Sequence, residues 1–90
     1  MRTEEYIIIL VGVVATDQEI AITYTSDSPK SDVSVQVVYS NGKIIKTFEH
    51  IKQANKGVLT LPTEGLFTGS YTCTISEGGQ ERDSKNFSIK

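Results

Sequence analysis

Residues 69–75, Gly69-Ser70-Tyr71-Thr72-Cys73-Thr74-Ile75, put Tyr71, Cys73 and Ile75 on one side of an extended chain and Ser70, Thr72 and Thr74 on the other. A period of two, with a glycine in front and Gly78-Gly79 behind, is the pattern of a β-strand with one face in a core and one face wet. The same pattern recurs outward from this segment. Val33-Ser34-Val35-Gln36-Val37-Val38-Tyr39 is the cleanest alternation, with Val33, Val35, Val37 and Tyr39 expected inward. Asn41-Gly42 follows it and offers the positive φ angles that a two-residue hairpin requires, so residues 43–49 are expected to return antiparallel.

Seven extended segments can be placed, and none keeps a helical period. Residues 6–14 form the first. The second is residues 19–24, with Ile20, Ile22 and Tyr24 on one face and Thr23 on the other. Residues 26–32 collect Ser, Asp, Pro and Lys and read as a loop. Residues 50–56 are polar and read as a crossing between sheets or a poorly ordered edge. Gly57 to Leu61 is a short strand stopped by Pro62, residues 64–69 turn a corner, and the last strand brings Phe87 and Ile89 to the core. Short strands at intervals of about 8 to 12 residues favour two facing antiparallel sheets, because a single open sheet would leave its Val and Ile in water. The fold class expected is therefore all-β, an immunoglobulin-like sandwich, with a six-stranded closed barrel as the alternative.

The bulk properties narrow the function classes. Ninety residues suit one domain, residues 1–90. A net charge of −2 supplies no field for nucleic acid or anionic lipid. The single cysteine, Cys73, cannot close a disulfide within the chain, and its place between Tyr71 and Ile75 predicts a buried, inert thiol. The apolar run Ile7–Ala15 has the length of a secretory signal core and ends in Val13-Val14-Ala15. Glu4 and Glu5 stand where such a signal carries positive charge, and the run is rich in β-branched residues, so it reads as a strand covered on both faces. It is also about half a membrane span in length.

Candidate chemistry is sparse. His50 is the only histidine, so no multi-histidine metal site and no triad can be assembled from it, and Cys73 could join it only by facing outward. Asp27 and Asp32 lack the dense acidic spacing of a calcium loop and read as turn residues. Glu77, Glu81 and Asp83 surround the last hairpin and read as surface charge, and Gly78-Gly79 reads as a turn rather than a phosphate cradle. Asn86-Phe87-Ser88 matches the glycosylation pattern by accident. Lys43, Lys46, Lys52 and Lys56 read as guards of an exposed strand edge, because no aromatics interleave them as in nucleic-acid surfaces. No catalytic, cofactor-binding or metal-binding residue is assigned, and no cofactor. The partner expected is an unidentified protein or surface, not a nucleic acid, with no membrane span; the oligomeric state is open because either sheet edge could add strands.

The strings VQVVYSNGKIIKTF (residues 35–48), LPTEGLFTGSYTCTI (61–75) and KNFSIK (85–90) resemble bacterial immunoglobulin-like domains in two guises. One is the C-terminal sorting domain of type IX secretion in Bacteroidetes. The other is a group of small secreted immunoglobulin-like proteins of gut Bacteroides. The resemblance covers about the last two thirds of the chain. It implies a non-catalytic module that is secreted, periplasmic or at the cell surface, working in protein interaction or structure, or alternatively as the sorting signal itself. A small carbohydrate or adhesin binder is a further alternative, although the outward Thr23, Ser34, Gln36, Thr72 and Thr74 supply no aromatic platform. Two features depart from the sorting pattern. Tyr24-Thr25-Ser26-Asp27-Ser28-Pro29 stands where a Tyr-Pro-Asn-Pro-like opening is expected, and these 90 residues hold no passenger domain beside the module. Gly69-Ser70-Tyr71-Thr72-Cys73 also resembles the corner of animal immunoglobulin domains, which implies a Tyr71 hydroxyl bonded to nearby backbone.

Overall fold

The computed structural model describes residues 6–28 and 32–90. The described residues contain seven strands, β1 (Ile8–Ala15), β2 (Glu19–Ser26), β3 (Val33–Tyr39), β4 (Ile44–Phe48), β5 (Ala54–Pro62), β6 (Gly69–Glu77) and β7 (Gln80–Ile89). They form two antiparallel sheets, one ordered β1-β2-β5 and the other β4-β3-β6-β7. Successive hairpins build β1-β2, β3-β4 and β6-β7, while the other connections cross from one sheet to the other, which is Greek-key wiring. The expected sandwich is therefore the observed one, and the closed barrel is not.

The alternation in sequence is the burial pattern. Ile20, Ile22 and Tyr24 from one sheet face Val33, Val35, Val37, Tyr71, Cys73 and Ile75 from the other, all buried. Tyr39, Phe87 and Ile89 are half-buried against them. Burial of each large apolar side chain contributes about 1.5 to 3 kcal/mol, which is how so small a domain offsets its chain entropy.

Four local expectations are corrected. β1 is not covered on both faces. Ile8 and Leu10 are buried, but Ile9, Val11 and Val14 are 43%, 47% and 62% exposed, because β1 is the edge of a sheet whose outer side carries no further layer among the described residues. At the β3-β4 turn only Gly42 has a positive φ, 91°, and Asn41 does not. The loop is Ser40-Asn41-Gly42, closed by the Gly42 N–H on the Tyr39 carbonyl and the Tyr39 N–H on the Lys43 carbonyl, both 2.9 Å. That is a three-residue turn ending in a left-handed glycine. The two-residue turn with both φ positive occurs instead at Gly78 (58°) and Gly79 (83°), between the paired Glu77 and Gln80.

The segment from residue 50 does cross between the sheets, as expected, but it is not merely polar. Ile51 is buried, and its N–H donates to the Val33 carbonyl at 3.0 Å. β5 then begins at Ala54 rather than Gly57. Lys56, at φ 78°, is the extra residue of a bulge that shifts the register against β2 between Tyr24 and Thr25. Pro62 is the last residue of the strand rather than the stop just beyond it.

Candidate functional site

The two long sides of the sandwich are built differently. On one side β1 lies against β7, and side chains of β7 join them. The Leu10 N–H donates to Asp83 Oδ2 at 3.0 Å, and Arg82 Nη2 donates to the Tyr6 carbonyl at 2.9 Å. Arg82 Nη1 pairs with Glu77 Oε1 at 2.8 Å, and the other oxygen of Glu77 accepts from the Ser28 hydroxyl at 3.0 Å. Glu77 and Asp83 are thus structural and not simply surface charge, which corrects the expectation for both; Glu81 is exposed. One backbone donor on the β1 edge, the Leu10 N–H, is occupied there.

On the other side β4 and β5 end their sheets without pairing to each other. Between them runs an open groove of about 480 Å³ whose lining mixes Tyr24, Phe48, Ile51 and Leu59 with the charged Lys46, Glu49 and Lys52. The Tyr24 hydroxyl donates to the Lys52 carbonyl at 2.8 Å and so holds the β4-β5 connection over the groove end. Burial pushes the Tyr24 phenol up from its ordinary pKa. The ring passes over Gly57, where a Cβ would lie 2.5 Å from Tyr24 Cζ, so this position needs glycine.

Lys46 has an unusual place. It is the direct partner of Val37, which is fully buried, and residues directly opposite in an antiparallel pair share a face. Its ammonium lies 5.6 Å from the centre of the Phe48 ring, at the groove mouth. Lys46 is therefore a charge on the inward side of an edge strand, its side chain still exposed at the groove. Lys46 stands two residues before Phe48 in sequence, but only the pairing of β4 with Val35 and Val37 fixes which face the two share.

At one end of the sandwich, Tyr71 donates its hydroxyl to the Phe67 carbonyl at 2.5 Å, and Tyr39 donates to the adjacent Thr68 carbonyl at 2.9 Å. The corner-tyrosine expectation is met. Phe67 is 71% exposed, but its ring is tilted 42° from Tyr39, so the pair makes no flat platform for a sugar.

The remaining sequence candidates do not converge. Cys73 is fully buried, and burial pushes its thiol up to about 12. His50 is exposed in the connection at φ 56°. Asp27 Oδ1 accepts the Ile7 N–H at 2.6 Å, and Asn86 accepts from the Thr72 hydroxyl at 2.9 Å. Pro29, Lys30 and Ser31 lie outside the described residues. No group of three or more His, Cys, Asp or Glu able to hold a metal is found among the described residues, and no helix there is long and apolar enough to cross a membrane.

These features define a class: a seven-stranded antiparallel sandwich whose distinctive chemistry lies on its surface and edges. The family model of the secretion system C-terminal sorting domain matches residues 16–90, and the chain belongs to that family. Its location follows from this membership: secreted, periplasmic or cell-surface. The match opens at Thr16, and Tyr24-Thr25-Ser26 lies within β2, so residues 24–29 are not the opening segment of the module. β1 precedes the matched region. No curated protein matches the chain. Among solved structures, it is similar to a β-glucosidase from Kluyveromyces marxianus in complex with glucose, at TM-score 0.64 and 13% identity over 96% of this chain. A selenomethionine form of β-glucosidase from the same organism gives TM-score 0.59 and 15% identity. The chain spans 14% of the length of each, and the likeness is one of fold.

Proposed function

We propose that residues 1–90 act as one non-catalytic domain that serves as a sorting element, a folded address read by a secretion machinery of the type IX kind. The observation that carries this reading is the family match across residues 16–90, which includes six of the seven strands. A folded address needs recognisable surface and a stable core, not a reactive centre. The buried thiol of Cys73 and the separate, exposed His50 favour that reading over an enzyme.

The test is a fusion of this chain behind a periplasmic reporter in a host with type IX secretion. Export of the reporter is the expected result. Retention in the periplasm, with the fused domain folded, would overturn the assignment.

A further inference from the structure

We infer that the free edge of β4 is a docking site for an extended segment of another polypeptide, one that presents a carboxylate opposite Lys46 and an apolar side chain opposite Phe48. The contrast between the two sides of the sandwich motivates this. All four outer strands lack a backbone partner on one side, but β1 and β7 are bridged by Asp83 and Arg82, whereas β4 and β5 flank an open groove with Tyr24, Phe48, Ile51 and Leu59 in its lining. An added strand would continue the β4-β3-β6-β7 sheet, satisfy the outer backbone groups of Ile44–Phe48, and lay alternate side chains over Ile51 and Leu59.

Lys46 selects what can dock. No ion pair of Lys46 occurs among the described residues; its ammonium meets the Phe48 ring. An uncharged strand would take that ammonium out of water without a partner, which rejects it. A strand with a carboxylate on the same face supplies the partner, so one lysine both guards the edge and admits an acidic segment. The surroundings agree in sign. Residues 43–56 hold Lys43, Lys46, Lys52 and Lys56 against Glu49 alone, although the whole chain carries a net charge of −2. This local excess attracts acidic segments and repels basic ones.

The inference does not depend on the sorting reading, because it is tested in vitro on the isolated chain. The probe is the capped peptide Thr-Val-Thr-Glu-Thr-Val-Thr, titrated into the 15N-labelled protein. The comparison peptides carry lysine in place of glutamate, or N-methyl groups on alternate amides. Saturable amide shifts along Ile44–Phe48 and at Ile51 are expected with the glutamate peptide. Binding should weaken at least about tenfold with the lysine peptide or with Lys46→Glu, and should survive Lys46→Arg. Absence of saturable shifts with the glutamate peptide would overturn the proposal. So would equal binding of the lysine peptide, since charge would then select nothing, or of the methylated peptide, since no strand would then be added. Oleate serves as a separate probe: shifts at Lys46 and Phe48 with oleate but not with the glutamate peptide would replace the proposed occupant by an acyl carboxylate.

Discussion

Asp83 Oδ2 accepts the backbone N–H of Leu10 across 73 positions of sequence, 3.0 Å apart, and so ties an edge strand of one sheet to an edge strand of the other. The same carboxylate takes the Ser84 N–H through Oδ1 at 2.9 Å. Leu10 is a core residue, and its amide would otherwise face the open edge of β1.

Replacing Asp83 with alanine should therefore loosen β1 before anything else. A loss of about 1 to 2 kcal/mol is expected from the missing charge-assisted bond. Chemical denaturation gives the size, and hydrogen exchange gives the place: the Leu10 amide should exchange faster while the amides of β3 and β6 hardly change. Unchanged exchange at Leu10 would contradict the role given to Asp83.

Tyr71→Phe removes the hydroxyl that holds the Phe67 carbonyl, at the corner entering β6. It should lower stability by about 1 kcal/mol, read as a lower urea midpoint at constant slope. Tyr39→Phe, at the more exposed bond to Thr68, should cost less. An unchanged midpoint for Tyr71→Phe would reject the corner bond.

The buried thiol sets a pH dependence with a definite sign. The pKa of Cys73 is raised by burial from an ordinary value of 9.0 to about 12, so the folded state favours the protonated thiol. The contribution is complete below about pH 9 and is lost as pH climbs toward 12. Tyr24, raised by burial, and Tyr71, raised by burial and by the neighbouring Tyr39, add losses of the same sign above their ordinary value of 10.0. Stability measured from pH 8 to 11 should hold to about pH 9 and fall beyond it, and Cys73→Ser should flatten the first part of that fall. At pH 8 a thiol reagent should label the native protein only at the rate of unfolding.

Gly57→Ala places a methyl group 2.5 Å from Tyr24 Cζ. The ring must move, and with it the bond to the Lys52 carbonyl. A loss of about 1 to 3 kcal/mol is expected from overpacking. Gly12→Ala is the control: a Cβ there meets nothing within 4 Å, and its effect should be much smaller.

Much of the candidate groove was hidden in the sequence for a reason that Ile51 makes plain. It stands among His50, Lys52, Gln53 and Asn55, so no local period marks it as buried. Its burial arises because its N–H reaches Val33, at the start of a strand in the other sheet. Arg82 is similar: it sits in a charged hairpin, and only the approach of the segment leading into β1 gives it the Tyr6 carbonyl to bind. The turns show the same limit at short range. Asn41-Gly42 and Gly78-Gly79 both suit a tight hairpin, and the register of the flanking strands chose the tight form for the glycines alone.

The sequence by itself determined the strands and their inward faces at β2, β3 and β6, because a side-chain period of two is a local property of extended backbone. It also determined that Cys73 is buried, which follows from position within an alternating run, whereas the corner bond of Tyr71 was legible only through the resemblance of Gly69–Cys73 to an immunoglobulin corner. Only the tertiary structure decided which face of β1 stays open, which sheet edges are bridged and which flank an open groove, and that Lys46 lies on the inward side of its strand. Those are relations between segments far apart in the chain, set by how two sheets stack, and a uniformly apolar or charged stretch carries no local mark of what will lie across from it.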